Sequence, residues 1–219
     1  MASYTPPRMT TTTTTSPQPS RRGFFLVFEG IDGAGTTSQQ RWLCERLTAL
    51  GRGFHKTAEP TGNPVGRLIR GVLRGEHAPF SPHSLALLFA ADRADHLSRE
   101  IEPALADGKI VVCDRYVLSS LAYQTAAGVP IELVRQLNAP FPIPDLTVYF
   151  NLPVEIAAQR RAKRGQAQEI FEVDDFQRIV GQRSDEKSPR CGVIGEVIDP
   201  PDEAGCIRHA AHAGKRKRS

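Results

Sequence analysis

The chain has 219 residues, 40% hydrophobic and 24% charged, which bounds it to one ordinary globular domain with room for a sizeable core. The formal charge is +4, but the closing Lys215-Arg216-Lys217-Arg218 holds four positive charges, so the body is neutral. A solvated terminal charge run explains this better than a nucleic-acid interface.

No apolar stretch approaches the length of a membrane span. Residues 1–22 lack the apolar core of a secretory signal. They are rich in Thr, Ser and Pro, including Thr10 to Thr15, and cannot bury enough surface to fold. The sequence therefore predicts a disordered tail over 1–22, one domain over 23–210 and a basic tail over 211–219. Cys44, Cys113, Cys191 and Cys206 form no C-x-x-C pair. Buried, reduced thiols in a cytoplasmic chain are expected.

Phe24 to Glu29 is an apolar strand that stops at Gly30, Gly33 and Gly35. Thr36 to Leu50 follows as a helix with Leu43, Leu47 and Leu50 on one face. Strand, glycine loop and helix frame a nucleoside-triphosphate phosphate loop. The glycines let backbone N–H groups approach phosphate oxygens, and the helix adds the positive end of its dipole. The expected ATP-binding set is Gly30, Ile31, Asp32, Gly33, Ala34, Gly35, Thr36, Thr37 and Ser38, with Thr37 where a hydroxyl holds magnesium. The pattern G-x-x-x-x-G-K-[ST] asks for lysine at 36, where this chain has Thr36. Two readings follow: an active enzyme that draws the charge from elsewhere, or a nucleotide-binding relic.

Gly53 to Thr57 reads as a second strand. It leads into Glu59-Pro60-Thr61-Gly62, and ligands of parallel α/β sheets sit at such carboxyl ends. Residues 64–74 predict a short helix, and Ser84 to Asp107 one long helix with a core stripe of Leu87, Ala90, Ala94, Leu97 and Ile101. A second face carries Phe89, Asp92, Arg93 and His96. Phe89 and Arg93 either grip a planar heterocycle or are a core aromatic and a surface arginine.

Ile110 to Cys113 reads as a buried parallel strand, ending in Asp114-Arg115-Tyr116. A following helix sets Arg115, Ser119 and Tyr123 on one face. Arg115 suits a phosphate clamp, and Asp114 orients it or magnesium waters; the alternative is a local surface pair. A short helix from Val129-Pro130 to about Asn138, a loop over 139–144 and a strand from Leu146 to Leu152 come next. Pro153 opens a helix carrying Arg160, Arg161, Lys163 and Arg164, either an exposed face or a lid that brings cations onto phosphates. A helix over Asp174 to Val180 and a fifth strand over Val193 to Ile198 complete a five-stranded, mostly parallel sheet with helices on both faces.

The stretches Phe28 to Gly35, Glu59-Pro60, Leu88 to Arg93, Asp114-Arg115-Tyr116 and Ser119 to Gln124 occur in one order. In that combination, over about residues 24–180, the chain resembles the thymidylate kinase family. The resemblance implies the P-loop nucleoside-monophosphate-kinase fold and an ATP:dTMP phosphotransferase. It also implies Mg2+ with ATP as phosphoryl donor, and a homodimer. Asp32 would bind the sugar 3′-hydroxyl, Phe89 would stack on thymine and Arg93 would meet a base carbonyl. Arg115 would clamp the monophosphate, Ser120 would face the base and Tyr123 would pack on the deoxyribose. Glu59 and Gln124 join that acceptor set. Thr37 and Asp114 are the metal pair. Asp32, Arg115, Arg160 and Arg164 are the catalytic group, with a lid over about 160–172. The chain departs from the family at Thr36, at Ala58 (often arginine) and after Val180. Alternatives are an impaired nucleotide-binding protein of the same fold, or a kinase for another deoxynucleoside monophosphate.

Overall fold

β1 (Phe24–Gly30) is apolar on both sides because both faces of its sheet are covered. Side chains alternate across a strand. Phe25 and Val27 therefore enter a cluster with Leu97, Ile101 and Leu105, and Leu26 and Phe28 enter another with Cys44, Leu47 and Phe150. Each such side chain taken from water contributes about 1.5–3 kcal/mol.

The computed structural model describes residues 22–163 and Ile194–Gly195. Within them the order is β1, α1 (Thr36–Ala49), β2 (Phe54–Ala58), α2 (Pro64–Leu73), α3 (Pro82–His96), a π-helical turn (Leu97–Ile101) and α4 (Glu102–Ala106). Then come β3 (Ile110–Asp114), α5 (Val117–Ala126), α6 (Ile131–Asn138), β4 (Leu146–Phe150), α7 (Val154–Lys163) and β5 (Ile194–Gly195). The strands run parallel in the order β2-β3-β1-β4-β5. Four are of five to seven residues and β5 is a two-residue edge. Residues 1–21 of the expected N-terminal tail, the basic tail, the helix over Asp174 to Val180, Arg164 and the rest of the lid, Cys191 and Cys206 lie outside the described residues, whereas Arg22 pairs with Asp145 at 3.0 Å. Among the described residues, no helix is long and apolar enough to cross a membrane.

The register places the site. Phe28 pairs with Asp114, and Ala58 pairs with Asp114 from the other side. The segments after β1, β2 and β3 therefore leave the sheet at one level, on one edge.

Three expectations are corrected. The long helix is not uniform: it starts at Pro82, capped by Ser81 Oγ accepting from Ser84 N at 3.1 Å, and its π-helical turn at 97–101 precedes Pro103. Proline has no N–H to give to the preceding turn, and its ring crowds it, so the wider turn relieves the clash. Next, Leu87 is 55% exposed and Ala94 is exposed, whereas Leu85, Ala86, Asp92, Arg93 and His96 are buried. The run Leu85 to Leu88 fits several helical phases, and buried polar groups that satisfy each other took the inward face. Finally, Leu50 is 65% exposed as the cap of α1, and Gln40 fills the inward position instead, donating from Nε2 to Thr57 O at 2.6 Å and Val112 O at 2.8 Å.

Candidate active site

The turn between β1 and α1 is closed by Ala34 N donating to Ile31 O at 3.0 Å. Gly33 and Gly35 have φ of 93° and 94°, a left-handed backbone that glycine takes without steric cost. Gly33 has a second reason to be glycine: a Cβ there would lie 2.5 Å from the Ala157 carbonyl oxygen of α7. The loop and α7 are thus in contact. Arg161 Nη1 donates to Asp32 O at 2.6 Å, and Arg160 Nη1 stands 3.9 Å from where a Gly35 side chain would begin.

A cavity of about 330 Å3 opens over this loop, lined by residues 32–39, Asp114, Arg115 and Arg160. Most of the expected ATP set borders it. Gly30 and Ile31 lie beneath, Ile31 being buried in the core.

Arg115 is the junction of the site. It has φ 70°, a left-handed conformation that costs a non-glycine residue about 1–2 kcal/mol. Its N–H donates to Phe28 O at 2.8 Å and its carbonyl accepts from Cys113 Sγ at 3.1 Å, which hold the bend. The guanidinium then turns across the end of β1. Nη1 donates to Gly30 O at 3.0 Å and Ser119 Oγ at 3.1 Å, and Nη2 to Asp32 Oδ1 at 2.6 Å. Its carbon lies 5.1 Å from the Tyr123 ring centre, and Tyr123 donates its hydroxyl to Asp32 Oδ2 at 2.9 Å. Arg115 meets Ser119 and Tyr123, but it does so from the left-handed bend before α5, not from the shared helix face that the spacing predicts. Burial disfavours the Arg115 cation, but the oxygens of Tyr123, Asp32, Asp114 and Glu29 outweigh it and raise its pKa above the usual guanidinium value.

Thr37 donates its hydroxyl to Asp114 Oδ2 at 2.7 Å, and the buried Asp114 Oδ1 has no hydrogen-bond partner among the described residues. A hydroxyl and a carboxylate with an orphaned oxygen are hard donors suited to a divalent cation bound through oxygens and water. Neutralising Asp114 as Asp114→Asn is expected to raise the Mg2+ concentration needed for half-maximal rate by about tenfold; a titration that overlays the wild type would remove Asp114 from that role.

Of the remaining expected residues, Glu59, Arg93 and Ser120 form one buried cluster outside the lining of this cavity. Arg93 is 1% exposed, so it is not a surface arginine. It donates to Glu59 Oε2 from Nε at 2.9 Å and from Nη2 at 2.6 Å. It also reaches Tyr116 O at 3.1 Å, Ser120 Oγ at 3.0 Å and, through Nη1, Asn138 Oδ1. Phe89 is partly buried and packs against Ile69, Leu73 and Leu85. Gln124 is 3% exposed, and its Oε1 lacks a partner among the described residues. None of Glu59, Phe89, Arg93, Ser120, Tyr123 and Gln124 borders the phosphate-loop cavity.

Arg160 belongs to the last turn of α7, the helix that Pro153 was expected to open. Sequence reasoning gave no role to Glu29. This carboxylate, 1% exposed, accepts from Tyr116 N at 2.9 Å, Ser119 N at 3.2 Å and Ser119 Oγ at 2.5 Å. It thereby caps α5 from β1 and steadies the residue that holds Arg115. Burial pushes its pKa up, opposed by the Ser119 hydroxyl, the Arg115 charge and the two backbone N–H groups. The signal was a lone acid closing an otherwise apolar buried strand, which needs a partner.

A family model for thymidylate kinases matches residues 28–194. The chain is 45% identical over 163 residues to a probable thymidylate kinase of Pyrococcus abyssi, covering 73% of this chain and 80% of the relative. It is 48% identical over 158 residues to a probable thymidylate kinase of Pyrobaculum calidifontis, covering 71% and 78%. A putative thymidylate kinase of Treponema pallidum is 46% identical over 155 residues, covering 70% and 73%.

Proposed function

Because the chain belongs to the thymidylate kinase family, we propose that it transfers the γ-phosphoryl group of ATP to dTMP, giving ADP and dTDP. The observation that carries this reading is the position of Arg115. It borders the cavity over the phosphate loop and is bonded to Ser119 of α5, the helix whose Ser120 meets the buried Arg93 and which also carries Gln124.

A phosphoryl transfer asks the protein for in-line positioning and for positive charge on the phosphate oxygens. ATP phosphates lie on residues 30–38, against the loop N–H groups and the first turn of α1. Thr37 and Asp114 hold Mg2+, which supplies charge to the donor phosphates when bound. Arg115 clamps the acceptor phosphate, and Arg160 reaches the donor side from α7. An oxygen of the dTMP phosphate attacks the γ-phosphorus, and the bond to the β–γ bridging oxygen breaks. Asp32 receives the sugar 3′-hydroxyl and orients Arg115. Phe89, Arg93, Ser120, Gln124 and Glu59 form the base side, and Tyr123 packs on the sugar. The unpartnered Gln124 Oε1 supports a polar group of the acceptor there.

The protein works as a homodimer. The support is the exposed apolar surface at α3, with Leu87 55% exposed and Phe80, just before the helix, 43% exposed, neither of them lining the phosphate-loop cavity. The free, buried thiols of Cys44 and Cys113 agree with a reducing, cytoplasmic setting.

The test is ADP release in a coupled assay with Mg-ATP and dTMP, beside dUMP, dCMP and a blank without acceptor. Turnover selective for dTMP is expected. ATP binding without turnover on any acceptor would replace this reading with the nucleotide-binding relic that Thr36 suggests.

A further inference from the structure

We propose that His96 is a positioning residue for acceptor binding, its imidazole holding the Glu59 carboxylate in the orientation from which Glu59 braces Arg93. This rests on the reading of Arg93 as a base-binding group.

The carboxylate of Glu59 is divided between two partners. Oε2 takes both Arg93 bonds, from Nε and Nη2. Oε1 faces His96 Nδ1 at 3.0 Å. A carboxylate only accepts, so Nδ1 carries the hydrogen. His96 is 0% exposed, and the Glu59 side chain is 4% exposed. Water does not replace the imidazole there, and an unpaired carboxylate oxygen would turn to share the Arg93 hydrogens.

The imidazole is itself fixed at its other nitrogen. Nε2 accepts from Thr57 Oγ1 at 2.7 Å, and that hydroxyl oxygen also lies 3.1 Å from Glu100 Oε2. Glu100 is held in turn by His55 Nε2 at 3.2 Å and Asn63 Nδ2 at 3.1 Å. The ring is therefore pinned between β2 and the turn that follows α3. From Arg93 the same line runs on to Ser120 Oγ at 3.0 Å. Neither His96, Glu59 nor Arg93 borders the phosphate-loop cavity. Loss of His96 should therefore weaken the acceptor and spare the donor.

Two substitutions separate the ring nitrogens. His96→Asn keeps an N–H near the Nδ1 position and cannot reach Thr57. His96→Gln reaches towards Thr57 and leaves Glu59 Oε1 without its donor. His96→Gln is expected to raise KM for dTMP about tenfold, with KM for ATP and kcat changed by no more than about twofold. His96→Asn is expected to keep KM for dTMP within about threefold of wild type. The double variant Glu59→Gln/His96→Gln should be no worse for dTMP than Glu59→Gln alone, because the two act in series.

An unchanged KM for dTMP in His96→Gln, equal losses for ATP and dTMP, or additive effects in the double variant would overturn the proposal. If thermal melting finds His96→Gln unfolded, His96→Asn decides: a retained KM supports the proposal and a tenfold rise ends it. Arg93→Gln separates the two levels. If it leaves KM for dTMP unchanged, the base-binding reading falls, and this proposal with it. If it raises that KM while His96→Gln does not, only the positioning role falls.

Discussion

Arg115→Ala is expected to lower kcat by about 10³-fold or more, the range an arginine on a transferring phosphoryl group supplies. The fork of Arg115 already spans Gly30 O, Ser119 and Asp32, so its position does not depend on substrate arriving first. A preorganised charge stabilises the transition state without reorganisation during the reaction. The bend at φ 70° is what turns the side chain across the end of β1. That permits a second comparison. Arg115→Gly should lose the same kcat, yet melt at a higher temperature than Arg115→Ala, since alanine keeps about 1–2 kcal/mol of left-handed strain and glycine sheds it. Single-turnover kinetics and thermal melts read the two effects separately. A kcat within tenfold of wild type in both variants would remove Arg115 from the chemistry. Equal melting temperatures would mean that the strain is no larger than the extra freedom glycine gives the unfolded chain, about 0.4–1 kcal/mol.

The first four strands, the glycine turn after β1 and the spacing of Ser119 and Tyr123 on α5 were legible because each is local. An apolar run, a glycine spacing or an i, i+4 repeat needs no partner to be recognised. The inward face of α3 was not legible, because Asp92, Arg93 and His96 are buried only by virtue of Thr61, Glu59 and Thr57, contributed from β2 and the loop after it. A helix read alone assigns such residues to solvent and Leu87 to the core. Glu29 failed for the same reason: its partners stand about 90 positions away. Gly33 was read as a phosphate-loop glycine, but the approach of the Ala157 carbonyl, which ties α7 to that loop, is invisible in the sequence.

That approach bears on the missing lysine. Thr36 is 6% exposed at the first turn of α1 and offers no charge. Arg160 borders the same cavity, and Arg161 is bonded to the loop at Asp32 O. If α7 supplies the cation that lysine would supply, the two positions must substitute for each other. Arg160→Ala is expected to lower kcat/KM for ATP by about 10–100-fold, the worth of one charged hydrogen bond lost from the donor side. Thr36→Lys in the otherwise native chain should gain less than about threefold, because the charge is already present, while in the Arg160→Ala background it should recover about tenfold. The ratio between those gains is the measured coupling. Equal gains in both backgrounds would mean that a cation introduced at position 36 and the Arg160 guanidinium act independently, and that α7 does not stand in for the lysine. Circular dichroism on the four proteins guards the comparison, since Arg160 is only partly buried and its removal leaves the Gly33–Ala157 contact in place.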